Sequence, residues 1–225
     1  QGFTADRTMR AAQNLYEAGL ITYLRTDGIN ISTSPNTGEP FSEENPGPPP
    51  LQEIRNVIVE KFGDEFLSDQ VRVYKSKVKN SQEAHEAIRP TNIKTYPENI
   101  NLGQDEQKLY TLIWNRTLSS QMSNSQHERK KIVVCSKEDK FVFNASSRKT
   151  LFEGFETLSK KDSSEIIEFP ENLKENENVS LAEFISEQKF TTPPNRYSEA
   201  SLIKKMEELG IGRPSTYAST VKGLR

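Results

Sequence analysis

The chain has 225 residues, of which 33% are hydrophobic and 28% are charged, and its formal net charge at pH 7 is −2. No apolar run approaches the roughly 20 residues that cross a bilayer, and no basic and then apolar N-terminal pattern marks a secretion signal. We therefore expect a cytoplasmic protein without a membrane span. The single cysteine, Cys135, excludes a disulfide framework or a cysteine-built metal site, and its apolar surroundings predict a buried, unreactive thiol.

The first predicted element is a helix, with a tyrosine and an arginine close behind it. Residues 8–20 carry apolar side chains at helical spacing, and Gly19 marks the end of the helix. The segment TYLRTD at residues 22–27 then places Tyr23 two residues before Arg25. A nearby positive charge lowers the pKa of a phenol, and a guanidinium holds a phosphate through paired hydrogen bonds. Tyr23 is thus a candidate nucleophile toward a phosphodiester.

A loop and a second helix follow this segment. Residues 35–50 are rich in Pro, Gly, Ser and Glu and have almost no apolar content, which predicts a flexible loop. The apolar spacing from Leu51 to Phe62 predicts an amphipathic helix that Gly63 ends. Extended chain is expected beyond it.

The second motif, SQEAHEAIRPT, occupies residues 81–91. Ser81 is suited to cap a short helix that Pro90 ends, and such a helix places His85 and Arg89 on one face. Histidine has an ordinary pKa near 6.5 and can donate a hydrogen bond to a phosphate or relay a proton. A purely structural histidine is the alternative.

The middle of the chain changes from helical to extended periodicity. Residues 105–121 predict a helix whose buried face is formed by four aliphatic residues, Leu109, Leu112, Ile113 and Leu118, with Tyr110 and Trp114 also in the core. From residue 125 the apolar period becomes two, and short β-branched or aromatic runs predict a β-rich region up to residue 187. Excess acidic residues before Gln188 and excess basic residues after it mark a boundary there.

The third motif combines a helix, a glycine turn and the start of another helix. Ser198 is a predicted N-cap for a helix that runs to Leu209. Beyond the glycines, Pro214 is suited to the first turn of a new helix, where the Ser215 and Thr216 amides and hydroxyls, with Arg213, can face a phosphate. A plain helical hairpin is the alternative.

The three motifs together resemble the bacterial type IA DNA topoisomerases. They are ITYLRTDG at residues 21–28, SQEAHEAIRPT at residues 81–91, and FTTPPNRYSEASLIKKMEELGIGRPSTYAS at residues 190–219. The resemblance implies an α+β multi-domain chain with a helical tyrosine-bearing domain at 1–124, a β-rich arch segment at 125–187 and the beginning of a helical DNA-binding domain at 188–225. One departure is Gly28, where relatives often carry serine.

The same resemblance implies a chemistry and assigns residues to it. Tyr23 attacks a phosphodiester of single-stranded DNA and becomes joined to the 5′ phosphate, and the break is resealed after strand passage without ATP. Arg25 and His85 act at the scissile phosphate, while a further set contacts DNA or shapes the site: Thr22, Thr26, Asp27, Arg89, Arg213, Ser215 and Thr216. No metal ligands are expected in this chain.

The resemblance also implies parts that lie elsewhere in the parent protein. Magnesium is held in the family by an acidic cluster of an N-terminal domain, and further strand-binding modules follow at the C-terminus; neither is present in this sequence. The chain ends a few residues into a helix, so we expect a piece of a longer bacterial, nucleoid-associated enzyme.

Several other interpretations compete with this one. The isolated chain is expected to be a catalytically silent piece that is structural and binds single-stranded DNA, because the magnesium-binding domain is absent. Tyr23 is alternatively a surface residue beside an ion pair of Arg25 with Asp27 or Glu17. A tyrosine recombinase is another alternative. That class needs several separated arginines and a tyrosine late in the chain, whereas Tyr23 comes first here. A helix-turn-helix regulator accounts for the third motif alone.

Overall fold

The computed structural model describes residues 2–32, 50–75, 86–137, 140–159, 169–170, 172–180, 182–183 and 185–224. The predicted loop at 35–50 and His85 lie outside these residues, except that Pro50 already begins a helix. Within the described residues, five α-helices and one two-stranded antiparallel sheet form an α+β architecture. None of the described helices is both long and apolar enough to cross a membrane.

The chain divides into two compact units. The helical unit comprises residues 1–125, 153–161 and 197–225, and the ribbon unit comprises residues 126–152 and 162–196. Residues 197–219 of the third motif thus cluster with the N-terminal part of the chain, and residues 190–196 belong to the ribbon unit. The predicted division into functional domains at residues 124 and 187 stays a prediction.

The helical unit is built on three helices: α1 at Ala5–Glu17, α2 at Pro50–Phe62 and α3 at Gln104–Ser119. Helices α2 and α3 confirm the predicted helical spacing, and α1 starts a turn earlier than expected because Thr4 caps it by accepting the Arg7 amide. Gly19 has the positive φ of 68° that lets the chain reverse after α1. The reversal brings the tyrosine segment back against the core.

The core of the helical unit lies between these helices and the segments next to them. Its buried members include Leu15 of α1, Val57 of α2 and Leu118 of α3. Tyr110 and Trp114 are buried in it, as predicted, and they donate hydrogen bonds to the carbonyls of Thr95 and Ile93. Leu112 was wrongly predicted to be buried, because the face of α3 that carries it is largely exposed within this chain.

Two shorter helices follow the ribbon, α4 at Glu199–Leu209 and α5 at Tyr217–Gly223. The predicted cap is confirmed, because Ser198 accepts the Ser201 amide and the Ser201 hydroxyl accepts the Ser198 amide in return. Both helices approach the start of α1: the Glu199 carboxylate accepts the Ala5 amide at 2.7 Å, and Lys222 lies 3.8 Å from Asp6.

The ribbon unit contains β1 at Gln126–Cys135 and β2 at Val142–Phe152, paired with Ile132 opposite Ala145. Within the predicted β-rich region, residues 160–168 lie outside the described residues, and the described residues between 169 and 187 contain no strand. Cys135 is exposed, so the prediction of a buried thiol was wrong. In a two-stranded ribbon an apolar run does not by itself imply burial, since Val133 on the same face is also exposed.

Candidate active site

The tyrosine segment is anchored by two buried side chains and exposes Tyr23 between them. Ile21 and Leu24 are 1% and 6% exposed and belong to the core, whereas Tyr23 between them is 53% exposed. Arg25 is also exposed. Burial of the two flanking aliphatic side chains therefore fixes the backbone and leaves the tyrosine at the surface.

The second motif lies directly against this segment. Ile21 and Pro90 form an antiparallel bridge, and the Thr22 amide donates to the Arg89 carbonyl at 2.9 Å. The Thr22 hydroxyl accepts the Arg89 amide at 3.0 Å and donates to the Ala87 carbonyl at 3.1 Å. Thr22 therefore uses both its backbone and its side chain to join two motifs that are more than sixty residues apart.

Thr26 repeats this arrangement four residues later. Its hydroxyl donates to the Glu86 carbonyl at 3.0 Å and accepts the Gly28 amide at 2.9 Å. Nearby, the Ala87 amide donates to the Asn30 carbonyl at 2.8 Å. These bonds hold the turn after Tyr23 against the second motif.

Residues 86–89 are not helical, so the predicted helix was wrong over this part; the remainder lies outside the described residues. The reason is the hydrogen bonding just described, which commits the Ala87 and Arg89 amides to the tyrosine segment instead of a helical turn. Arg89 therefore does not lie on a helical face, and His85 is outside the described residues.

Arg89 is buried, and its guanidinium is held from two sides. Its Nε and Nη2 atoms donate to the two Glu86 carboxylate oxygens at 3.0 and 3.1 Å, and Nη1 donates to the Pro90 carbonyl at 2.9 Å. Glu86 also accepts the Ser32 amide at 3.3 Å. This paired geometry is the strong form of an arginine–carboxylate contact. It ties the second motif to the end of the tyrosine segment.

The exposed tyrosine contacts an aromatic ring of α1. The rings of Tyr16, in the last turn of α1, and Tyr23 meet edge to face, with centroids 5.6 Å apart and an interplanar angle of 70°. In the part of the chain that the structure describes, Arg25 forms no hydrogen bond and no ion pair, so the alternative pairing with Asp27 or Glu17 is absent there.

The end of the third motif, at residues 213–216, forms a capped turn where a helix start was expected. The Thr216 hydroxyl accepts the Arg213 amide at 2.9 Å, and the Thr216 amide donates to the Arg213 carbonyl at 2.8 Å. This local bonding delays the helix to Tyr217, so the expected start at Pro214 was wrong. Arg213, Ser215 and Thr216 are all exposed.

Electrostatics connects this turn to the tyrosine segment. Burial raises the pKa of the Tyr217 phenol, and the negative charges of Glu207 and Asp27 raise it further, while Arg213 opposes them. The Asp27 carboxylate of the first motif thus contributes to the electrostatics of the third motif.

Comparisons with known proteins agree over the whole chain. A model of the DNA topoisomerase family matches residues 1–225. DNA topoisomerase 1 of Rickettsia bellii is 43% identical over 239 residues, which cover 100% of this chain and 28% of that protein. The chain belongs to the bacterial type IA DNA topoisomerase family. DNA topoisomerase 1 of Helicobacter pylori is also 43% identical, over 235 residues that cover 100% of this chain and 29% of that protein.

A solved structure from the same family has a similar fold. Full-length topoisomerase I from Thermotoga maritima matches with a TM-score of 0.72 and 36% sequence identity, over 99% of this chain and 34% of that one. The chain thus spans about a third or less of the length of these family members. The family assigned from the three motifs is confirmed.

Sequence reasoning found most of the residues that the structure brings together, but it missed the contact of Tyr16 with Tyr23. The helical period correctly assigned Tyr16 to α1, yet nothing in the spacing across Gly19 signals a ring contact. It expected Thr22 and Thr26 to contact DNA or to shape the turn, and in the structure their hydroxyls bond to the second motif. The sequence signal for this holding role was the presence of a threonine on each side of Tyr23, at positions 22 and 26.

Proposed function

We propose that this chain is the part of a type IA DNA topoisomerase that carries the nucleophile, and that the whole protein relaxes negatively supercoiled DNA without ATP. The observation that carries the proposal is the placement of Tyr23, exposed between the buried Ile21 and Leu24. A nucleophile on an anchored backbone with an accessible hydroxyl suits attack on a macromolecular substrate.

In the proposed reaction, the Tyr23 oxygen attacks the phosphorus of a phosphodiester in single-stranded DNA. The bond between the phosphorus and the 3′ oxygen breaks. The 3′ oxygen takes up a proton, and the phenol releases its own proton. A 5′-phosphotyrosine link holds one end while another strand passes. Religation reverses the step, and no nucleotide is consumed because one phosphodiester replaces another.

Arg25 is our candidate for the group that meets the scissile phosphate. Its exposed guanidinium has no partner among the described residues, and it lies two residues from Tyr23. A guanidinium at this place stabilises negative charge that develops during transfer. We propose the same task for His85, whose position lies outside the described residues.

The other predicted site residues divide into two groups. We assign Thr22, Thr26 and Arg89 to holding the tyrosine segment, because their polar atoms bond to the second motif and its neighbours. Asp27 belongs beside them at the turn. The exposed residues of the third motif, Arg213, Ser215 and Thr216, remain our candidates for contacts with the DNA backbone.

The proposed whole protein uses magnesium, works on single-stranded DNA and resides in the bacterial cytoplasm with the nucleoid. The described residues contain no group of three or more histidine, cysteine, aspartate or glutamate side chains suited to a metal ion. The described residues therefore do not fit a magnesium site. We place its ligands in the remainder of the longer parent protein.

A second candidate function is that of a DNA-binding piece that does not cleave on its own. It is favoured by the share of 28–29% that the chain covers in its relatives, since the other domains then complete the site. The two functions differ in one observable, the covalent link to DNA.

The decisive experiment mixes the chain with the magnesium-binding N-terminal domain of a relative, magnesium and an oligonucleotide labelled on the 3′ side of the cleavage point. We expect a denaturant-resistant adduct in which the label stays with the protein, and a phosphotyrosine on the peptide that contains Tyr23. Tyr23→Phe abolishes the adduct because it removes the attacking oxygen.

Tyr16→Phe is the matched control, since it removes one hydroxyl from the ring that touches Tyr23 and keeps the edge-to-face contact. We expect this variant to form the adduct. An adduct that survives in Tyr23→Phe rules out Tyr23 as the nucleophile. Absence of any adduct, with association of both pieces and binding of DNA confirmed, favours the non-cleaving function.

A further inference from the structure

Tyr16 and Tyr23 lie side by side at the surface of the helical unit. Their rings meet edge to face with centroids 5.6 Å apart, although Tyr16 belongs to α1 and Tyr23 to the segment after it. Tyr16 is 39% exposed and is not a member of the apolar core. Core packing therefore does not account for a tyrosine at position 16, next to the proposed nucleophile.

The backbone that carries Tyr16 is held by the turn that ends α1. The Gly19 amide donates to the Tyr16 carbonyl at 2.9 Å, and the Leu20 amide donates to the Leu15 carbonyl at 2.9 Å. Gly19 closes this turn with its positive φ of 68°. Leu15, directly before Tyr16, is buried in the core. The Tyr16 ring therefore projects from a fixed point.

The second motif ties this turn to the start of the tyrosine segment. The Thr91 hydroxyl donates to the Gly19 carbonyl at 2.6 Å, and the Thr91 amide donates to the Leu20 carbonyl at 3.1 Å. The next residue, Ile21, is bridged to Pro90. One stretch of chain thus holds both the end of α1 and the tyrosine segment, and it sets the distance between the two backbones that carry the rings.

The side chain of Tyr23 has fewer restraints than its backbone. It is 53% exposed, and within the described part of the chain its hydroxyl forms no hydrogen bond. A tyrosine ring turns about two side-chain dihedral angles, and attack requires the oxygen to lie in line with the phosphorus. The edge-to-face contact with Tyr16 favours one orientation of the Tyr23 ring over the others.

We propose that Tyr16 is a positioning residue, whose aromatic ring holds the Tyr23 ring in the orientation from which its oxygen attacks the phosphodiester. The proposal rests on the proposed function, because it takes Tyr23 as the nucleophile. The ring of Tyr16 is the part that acts, since its hydroxyl has no hydrogen-bond partner among the described residues. The energy of an aromatic pair corresponds to a factor of about 2 to 10 in a rate.

Stacking of Tyr16 on a DNA base is the competing role, and it has a different consequence. An aromatic ring that stacks on a base adds affinity for a single strand, so its loss weakens binding. Loss of a positioning ring instead lowers the rate of cleavage at saturating DNA and leaves binding unchanged. Positioning is favoured because the contact with Tyr23 exists in the protein alone.

The test compares Tyr16→Leu with Tyr16→Phe in the full-length parent protein. Leucine removes the ring and suits a helix, whereas phenylalanine keeps the ring and removes the hydroxyl. Tyr16→Met is a second ringless variant with a similar helix propensity. The dissociation constant for a labelled single strand is measured in the Tyr23→Phe background, where the proposed covalent link cannot form. The rate of adduct formation is measured with Tyr23 present, at saturating strand and magnesium.

Tyr16→Leu and Tyr16→Met are expected to lower the saturating rate by about 2-fold to 10-fold, with an unchanged dissociation constant. Tyr16→Phe is expected to restore the rate, because it restores the ring contact. Fluorotyrosine placed at position 23 gives a readout that needs no cleavage. Its fluorine NMR signal is expected to move when the Tyr16 ring is removed and to stay in place in Tyr16→Phe.

An unchanged saturating rate in both ringless variants overturns the proposal. Weaker binding with an unchanged saturating rate overturns it in favour of base stacking, and an equal loss of rate in Tyr16→Phe assigns the effect to the hydroxyl. Failure of the proposed function is distinct from these results, because the wild-type protein then forms no adduct through Tyr23 and this proposal falls with it.

Discussion

The helical unit and the ribbon unit use similar side chains in opposite ways. In the helical unit, aromatic and aliphatic residues such as Trp114 and Leu15 are buried, and polar groups of the tyrosine segment bond to distant backbone atoms. In the ribbon, Val133 and Phe143 are exposed, and the strands hold each other by their backbones. Chemistry that needs fixed geometry is therefore expected on the first unit, and adaptable surface contacts on the second.

The difference follows from what each unit packs against. Ile21 and Leu24 anchor the tyrosine segment because α1, α2 and α3 supply an apolar core beneath it. The regular structure in the described part of the ribbon unit is a pair of strands, and such a hairpin has little apolar surface to bury. Its long charged side chains cost little to expose, which leaves them available for a partner.

Truncation of a core ring is the strongest way to test this difference. Trp114→Ala is expected to lower the free energy of unfolding by about 3–5 kcal/mol, because it leaves a cavity and removes the indole hydrogen bond to Ile93. Phe143→Ala in the ribbon is the control, with an expected change within about 0.5 kcal/mol. Urea unfolding of both variants is followed by circular dichroism. Tryptophan fluorescence cannot be used, because Trp114→Ala removes the sole tryptophan. Similar losses in the two variants contradict the comparison.

The buried ion pair offers a second, smaller test. Glu86→Gln leaves the Arg89 guanidinium buried without its carboxylate and is expected to cost about 2 kcal/mol, less than for a fully buried pair because the Glu86 side chain is 28% exposed. Glu128→Gln removes an exposed partner of Lys130 and is expected to change stability by less than about 1 kcal/mol.

Double-mutant cycles give the two coupling energies, with Arg89→Gln completing the first cycle and Lys130→Gln the second. If the Glu128–Lys130 coupling energy equals the Glu86–Arg89 coupling energy, the proposal that Arg89 holds the tyrosine segment is contradicted. Loss of the DNA adduct in Glu86→Gln at a temperature where the chain stays folded links this ion pair to the geometry of Tyr23.

The pH dependence of stability gives the smallest effect. Burial raises the pKa of Tyr110 to about 12 from its ordinary value of 10.0. The unfolded chain loses this proton first as the pH rises, so the stabilising contribution is complete below pH 10 and is lost between about pH 10 and 12. The loss at pH 11 is about 1.4 kcal/mol.

Tyr110→Phe is the matched variant for this titration. It removes the hydrogen bond to Thr95, at a cost of about 1 kcal/mol near neutral pH, and it should flatten the alkaline decline by the amount that Tyr110 contributes. Urea midpoints at pH 8, 10 and 11 measure the difference. Parallel declines in the two proteins assign the alkaline loss to other groups.

The sequence by itself determined the family and most of the regular structure. Three motifs in a fixed order were enough to assign the family, and the apolar periods predicted α2, α3, the Ser198 cap and the change to extended chain near residue 125. These features are encoded locally, because helical and extended periods and cap chemistry depend on residues only a few positions apart.

Only the tertiary structure decided how the motifs combine. Residues 86–89 are not helical because their amides bond to Thr22 and Asn30, partners more than fifty residues away that no local period reveals. The same holds for the ring contact of Tyr16 with Tyr23 and for the exposure of Cys135. Burial and hydrogen-bond partners depend on what packs against a segment, and that is settled when distant parts of the chain meet.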